Sequence, residues 1–101
     1  MSEYVNDHSD PLESGQLADN WFYCVFAVNR SASTKYVFSV GCRYSDEYNQ
    51  KAGLPGLGAH STDNQEYDSV ESAKQGVLRF FAAVQQRPGY PYPDGMNFSS
   101  I

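Results

Sequence analysis

Hydrophobic positions along this chain fall into two patterns, one of period two and one of helical period. The first occupies Asn20 to Tyr44. It runs Trp21-Phe22-Tyr23-Cys24-Val25-Phe26-Ala27-Val28, breaks at Arg30-Ser31-Ala32-Ser33-Thr34, and resumes as Tyr36-Val37-Phe38-Ser39-Val40-Gly41-Cys42-Arg43-Tyr44. Both runs are rich in aromatic and β-branched residues, which suit a pleated, half-buried surface. The pattern predicts a β-hairpin. Its second strand alternates, with Tyr36, Phe38, Val40, Cys42 and Tyr44 on one face and Val37, Ser39, Gly41 and Arg43 on the other. Its first strand is apolar on both faces. A register opposing Phe22 to Cys42 and Phe26 to Phe38 aligns the two apolar sets, and makes Phe22, Cys24, Phe26 and Val28 the expected core face. Trp21, Tyr23 and Val25 then share the second face with Arg43. A cation–π contact between Trp21 and Arg43 is expected there. That face is either covered by the C-terminal tail or open as an aromatic binding patch.

The second pattern runs from Asp68 to Gln86. Val70, Ala73, Val77, Phe80/Phe81 and Val84 recur at helical spacing. Asp68 and Glu71 have the spacing of a capping box, with Ser69 as the alternative cap. Pro88-Gly89 ends the helix. Gly76 interrupts the stripe at a cost of about 1 kcal/mol against Ala, which predicts a close helix–sheet approach beside large aromatic residues. Lys74, Gln75 and Arg79 are expected to face solvent.

The flanking segments are less patterned. Residues 1–19 predict an irregular arm with at most one turn of helix over Pro11–Ala18, weakened by Gly15. Ser45 to Glu66 reads as a long, turn-rich connection with Leu54 and Leu57 tucked onto the core. A short third strand is expected near Asn64 to Tyr67. The glycines of Ala52-Gly53-Leu54-Pro55-Gly56-Leu57-Gly58 do not sit between a strand and a helix, and no Lys-Ser/Thr follows them, so they match no phosphate-binding loop. The tail Tyr90-Pro91-Tyr92-Pro93 favours an extended, polyproline-like run packed over Trp21 and Tyr23. The fold class expected is α+β: a small antiparallel sheet, made of the long hairpin plus a short third strand, with one helix across one face. One domain spans residues 1–101, comprising the acidic arm (1–19), the hairpin, loop and helix (20–87) and the Tyr/Pro-rich tail (88–101).

Composition and charge narrow the function classes. The chain has 101 residues, is 41% hydrophobic and 15% aromatic, and carries a net charge of −5. That is enough for one modest core. No apolar run is long enough to span a bilayer. The polar, acidic N-terminus has no basic-then-apolar signal pattern, so a cytoplasmic location is expected. Acidity is concentrated in the arm and in residues 45–71, where Asp46, Glu47, Asp63, Glu66, Asp68 and Glu71 face a single Lys51. The hairpin and helix are slightly basic. An acidic balance argues against direct nucleic-acid binding, which needs a basic stripe.

Candidate chemistry is thin. Cys24 or Cys42 with His8 or His60 is the only nucleophile–base set, and both cysteines sit mid-strand, where burial raises a thiol pKa. The two are expected as reduced, buried thiols, although pairing across the hairpin is geometrically open on the expected register. His8 between Asp7 and Asp10, or His60 with Asp63 and Glu66, has metal-ligand residue types without a known spacing. No metal, cofactor or enzymatic activity is expected. The reading that follows is a small acidic, non-enzymatic protein-binding module, an inhibitor or adaptor that occupies a basic surface of a partner macromolecule. Its candidate binding residues are Trp21, Tyr23 and Arg43 on the outer hairpin face, and Asp46, Glu47, Asp63, Glu66 and Asp68 along the loop and helix start. The alternatives are a nucleic-acid mimic, a small-molecule binder using the glycine loop as a lid, and a self-assembling structural protein.

Overall fold

Six elements succeed one another in the computed structural model, which describes residues 10–53 and 58–93. They are β1 (Glu13–Ala18), β2 (Trp21–Asn29), β3 (Thr34–Arg43), α1 (Asp46–Ala52), β4 (Gly58–Ser61) and α2 (Val70–Gln85). The strands form one antiparallel sheet in the order β1-β2-β3-β4. Helix α2 packs across one face. The fold is α+β with four strands where the sequence pattern suggested three. The strand in the long connection is Gly58–Ser61, while Tyr67 makes an isolated bridge to Tyr36. The expected docking of Leu54 and Leu57 lies outside the described residues.

The hairpin forms where expected, but its register is one residue away from the expected one. Trp21 lies opposite Cys42, Val25 opposite Phe38 and Asn29 opposite Thr34. The turn decides this. Arg30 N–H donates to Ser33 O at 2.8 Å and Ser33 N–H returns to Arg30 O at 3.3 Å, so the turn is centred between Ser31 and Ala32. A loop centred on Ala32 would have opposed Phe22 to Cys42. Side chains alternate with period two, so a one-residue slip exchanges every β2 residue between the faces. The assignment of Phe22, Cys24, Phe26 and Val28 to the core face is thereby reversed. Trp21 and Val25 are fully buried under α2, while Phe22 is 50% exposed on the opposite side. The β3 assignment stands: Phe38, Val40 and Cys42 all belong to the core beneath α2.

That core comprises Trp21, Val25, Phe38, Val40 and Cys42 from the sheet and Ala73, Val77, Phe80, Phe81 and Val84 from α2. The helical stripe read from the sequence is the buried stripe of α2. Its cap is shifted by one position. Ser69 is the N-cap, with Ser72 completing a reciprocal box: Ser72 N–H donates to Ser69 Oγ at 3.1 Å and Ser69 N–H to Ser72 Oγ at 3.2 Å. Asp68 is thereby free to pair with Lys35. Gly76 sits under Tyr67, whose phenol ring lies over the helix at this point. A Cβ there would fall on the ring's hydroxyl end and stand 3.0 Å from Phe38 Cε2.

The segment read as an irregular arm contains a strand, β1, pairing Glu13 to Val25 and Gln16 to Phe22. Gly15, which counted against a helix, serves this strand. The Tyr23 ring lies across it, and a Cβ at Gly15 would come 2.8 Å from Tyr23 Cε1. The same ring carries its hydroxyl to Glu13, donating to Oε2 at 2.8 Å. Lys74 reaches Glu13 Oε2 from α2 at 2.7 Å, so it is not simply a solvent-facing lysine. This three-residue contact ties the edge strand to the helix. The Lys74 ammonium and then the Tyr23 hydroxyl hold the Glu13 carboxyl below its ordinary pKa. A carboxylate with a lowered folded-state pKa stabilises the fold above its unfolded-state pKa, and that contribution is lost as pH falls through the lowered value. Thermal melts should therefore show Glu13→Gln less stable than the native protein at pH 7. The gap should close as pH falls below about 4.3, the ordinary glutamate value. A gap that stays constant across that range would mean the charge on Glu13 contributes nothing.

The C-terminal segment packs on Trp21. Tyr90 stacks on the indole at 5.9 Å and 20°, and Trp21 Nε1–H donates to Pro91 O at 2.9 Å. The chain turns here instead of running extended, with Tyr90 N–H bonded to Arg87 O and Tyr92 N–H to Gly89 O.

Candidate functional site

The hairpin register redistributes the expected binding residues. Trp21 is fully buried between Phe81 and Tyr90. Tyr23 is half-buried on the same side and engaged with Glu13. Arg43 projects from the other face of the sheet and donates to Asp46 Oδ1 at 2.7 Å. The expected Trp21–Arg43 stack is therefore replaced by an Arg43–Asp46 ion pair, and the three residues form no common surface.

The five acidic residues divide into two groups. Asp46 and Glu47 stand in the first turn of α1, which Ser45 caps by accepting from Tyr48 N–H. Carboxylates at a helix N-terminus are favoured by the dipole, which explains their place in the sequence. Asp46 pairs with Arg43, and Glu47 with Lys51 one helical turn on at 3.2 Å. In the second group Glu66 and Asp68 lie beside the β2–β3 turn and the start of α2, while Asp63 follows β4 and reaches the Tyr67 hydroxyl over Gly76. Glu66 pairs with Arg30, Asp68 with Lys35, and Asp63 accepts from the Tyr67 hydroxyl. Burial and then that bond to Asp63 push the Tyr67 phenol up. Asp68 holds the Lys35 ammonium above its usual value. Lys35 and Arg43, the partners of Asp68 and Asp46, stand at the two ends of β3, roughly 26 Å apart at about 3.3 Å per residue, with Asp63 between them, just beyond the Ser61 that pairs with Val40. The span from Lys35 to Arg43 is about three times the screening length of ~8 Å at physiological salt. Both groups are partly neutralised by cations of their own.

Short helix α1 adds what the sequence reading missed. Tyr44 and Tyr48 stack at 4.4 Å and 26°, and Tyr48 remains 39% exposed. Asn49 turns inward and is buried, anchoring the helix. Asp46, Glu47 and Tyr48 are thus consecutive, outward-facing and held by a capped turn. The available signal was Ser45 followed by Asp46-Glu47 and ending at Gly53, a helix start and stop of ordinary form. Gly53 closes the helix in the left-handed region, at φ 68°.

The sheet face opposite α2 is the second surface the sequence reading misplaced. It carries Phe22, Cys24 and Phe26 from β2, with Val28 and Val37 buried on the same side. Besides the Cys24 thiol, the ionisable side chains that the four strands direct to this face are Lys35, Arg43 and His60, with no carboxylate among them. Because strand β2 is apolar on both sides, one apolar set had to face away from α2.

The two cysteines form no disulfide and lie on opposite faces of the sheet, Cys42 facing α2 and Cys24 facing away. The pairing left open on the expected register is excluded by that geometry. His60 shares a face with Cys24 but stands two strands away, roughly 10 Å at the usual strand spacing, so the two make no contact dyad. Burial pushes the Cys24 thiol up. Under native conditions iodoacetamide should modify Cys24 before Cys42, and more slowly than a free cysteine. Mass spectrometry of peptides over time checks the order, and equal rates at both sites would contradict the two-face assignment. Among the described residues no group of three His, Cys, Asp or Glu side chains is placed to hold a metal ion. His8 lies outside them. No described helix is long and apolar enough to cross a membrane.

These features define a small α+β protein with a helix-backed antiparallel sheet and an acidic, aromatic helix at one end. Set against protein-family models, curated proteins and solved structures, the chain matches none of them.

Proposed function

We propose that this is a small non-enzymatic protein-binding module, an inhibitor or adaptor whose acidic α1 end occupies a basic surface of a partner protein. The observation that carries the reading is the set Asp46, Glu47 and Tyr48 on one capped turn. The Asp46 and Glu47 side chains are 91% and 79% exposed. Their internal ion pairs do not stand in the way. Exposed pairs contribute about 0–1 kcal/mol each, so cations of a partner displace Arg43 and Lys51 at little cost. The exposed Tyr48 ring offers an Arg side chain a face to stack on beside those carboxylates. Glu66 and Asp68 form a second, independent acidic contact. The reading needs no cofactor and no direct nucleic-acid contact, and it expects a cytoplasmic location, where reduced thiols are usual.

Among the described residues, the acidic groups give the nucleic-acid-mimic alternative no continuous array of charge. Self-assembly has one observation in its favour, the half-exposed Phe22 beside Phe26 and Cys24. Solution mass that rises with concentration would support it.

The test is affinity capture from lysate of the source cell or its host at low and high salt, with bound species identified by mass spectrometry. One protein retained at low salt and shed at high salt is the expected result. Asp46→Asn with Glu47→Gln should weaken its binding about tenfold, the equivalent of roughly 1.4 kcal/mol. Glu66→Gln with Asp68→Asn should have a smaller effect. Retention unchanged by the α1 pair, or no retained species at either salt, would sink the reading.

A further inference from the structure

No further inference is drawn: the strongest candidate, the apolar surface patch of Phe22, Cys24 and Phe26 on the sheet face opposite α2, carries nothing because nothing in the structure shows what covers it.

Discussion

Trp21→Ala should destabilise the protein by about 3–5 kcal/mol, the range for emptying a large buried aromatic site. Domains of this size have roughly 5–15 kcal/mol in total, so the variant will be marginal or unfolded at 37 °C. Three contacts are lost together: the stack on Tyr90, the tilted contact with Phe81 at 5.6 Å, and the Nε1–H bond to Pro91 O. The last loss leaves a partly buried carbonyl without its donor, which adds to the cavity term. Urea unfolding followed by circular dichroism measures the change. Phe22→Ala is the paired control, because the two registers of the hairpin exchange these residues. In the observed register Phe22 is half exposed and its truncation should cost far less than that of Trp21. A reversed ranking would mean that β2 presents its other side to α2. The sole tryptophan also gives a spectroscopic check, since a fully buried indole emits to the blue and shifts red on unfolding.

Gly76→Ala should lower stability by about 1–3 kcal/mol, the usual cost of overpacking a filled site. The sign is informative because intrinsic propensity predicts the opposite. In a helix interior Ala is favoured over Gly by about 1 kcal/mol. Steric conflict wins if the Tyr67 ring cannot move aside, and several contacts hold it. Its backbone makes both hydrogen bonds of the bridge to Tyr36, its hydroxyl is bonded to Asp63, and its ring packs on Phe38 at 6.1 Å. Phe38 is itself buried against Phe80. Truncating the obstacle should restore the propensity gain, so Gly76→Ala should be less harmful, or stabilising, in a Tyr67→Ala background. A double-mutant cycle by denaturant titration reads this coupling directly. Gly76→Ala that stabilises the native protein would show that Tyr67 yields, and that close approach is not the reason for the glycine.

Helix α2 was legible because its evidence is local. A cap, a 3.6-residue stripe and a Pro-Gly stop all lie within one stretch of chain, and of the two caps the sequence offered, Asp68 and Ser69, the structure uses Ser69 in a local box with Ser72. Strand β3 was legible for the same reason, since its alternation names one apolar face. Strand β2 was not. Apolar residues on both sides leave periodicity without a preference, and a turn centred half a residue away from the expected position selects Trp21 over Phe22. Strand β1 escaped notice because Glu13-Ser14-Gly15-Gln16 has no strand character of its own. It is held by pairing to β2, by Tyr23 lying over Gly15, and by Lys74 reaching Glu13. In the candidate site, the sequence names the acids but not their places, because their spacing along the chain conceals the length of β3 between Asp46 and Asp68.

The sequence alone determined the buried stripe of α2, the apolar face of β3, the hairpin, and an acidic balance ill-suited to gripping phosphate. Each follows from hydrophobic periodicity or from charge, and both are properties of neighbouring residues. The tertiary structure alone decided which face of β2 is buried, that the arm supplies a fourth strand, and that Asp46 and Asp68 pair with cations at opposite ends of β3. Those outcomes depend on register and on contacts between distant segments. A one-residue shift reverses a face there, and roughly 26 Å of strand, about three screening lengths, separates the cations that Asp46 and Asp68 pair with.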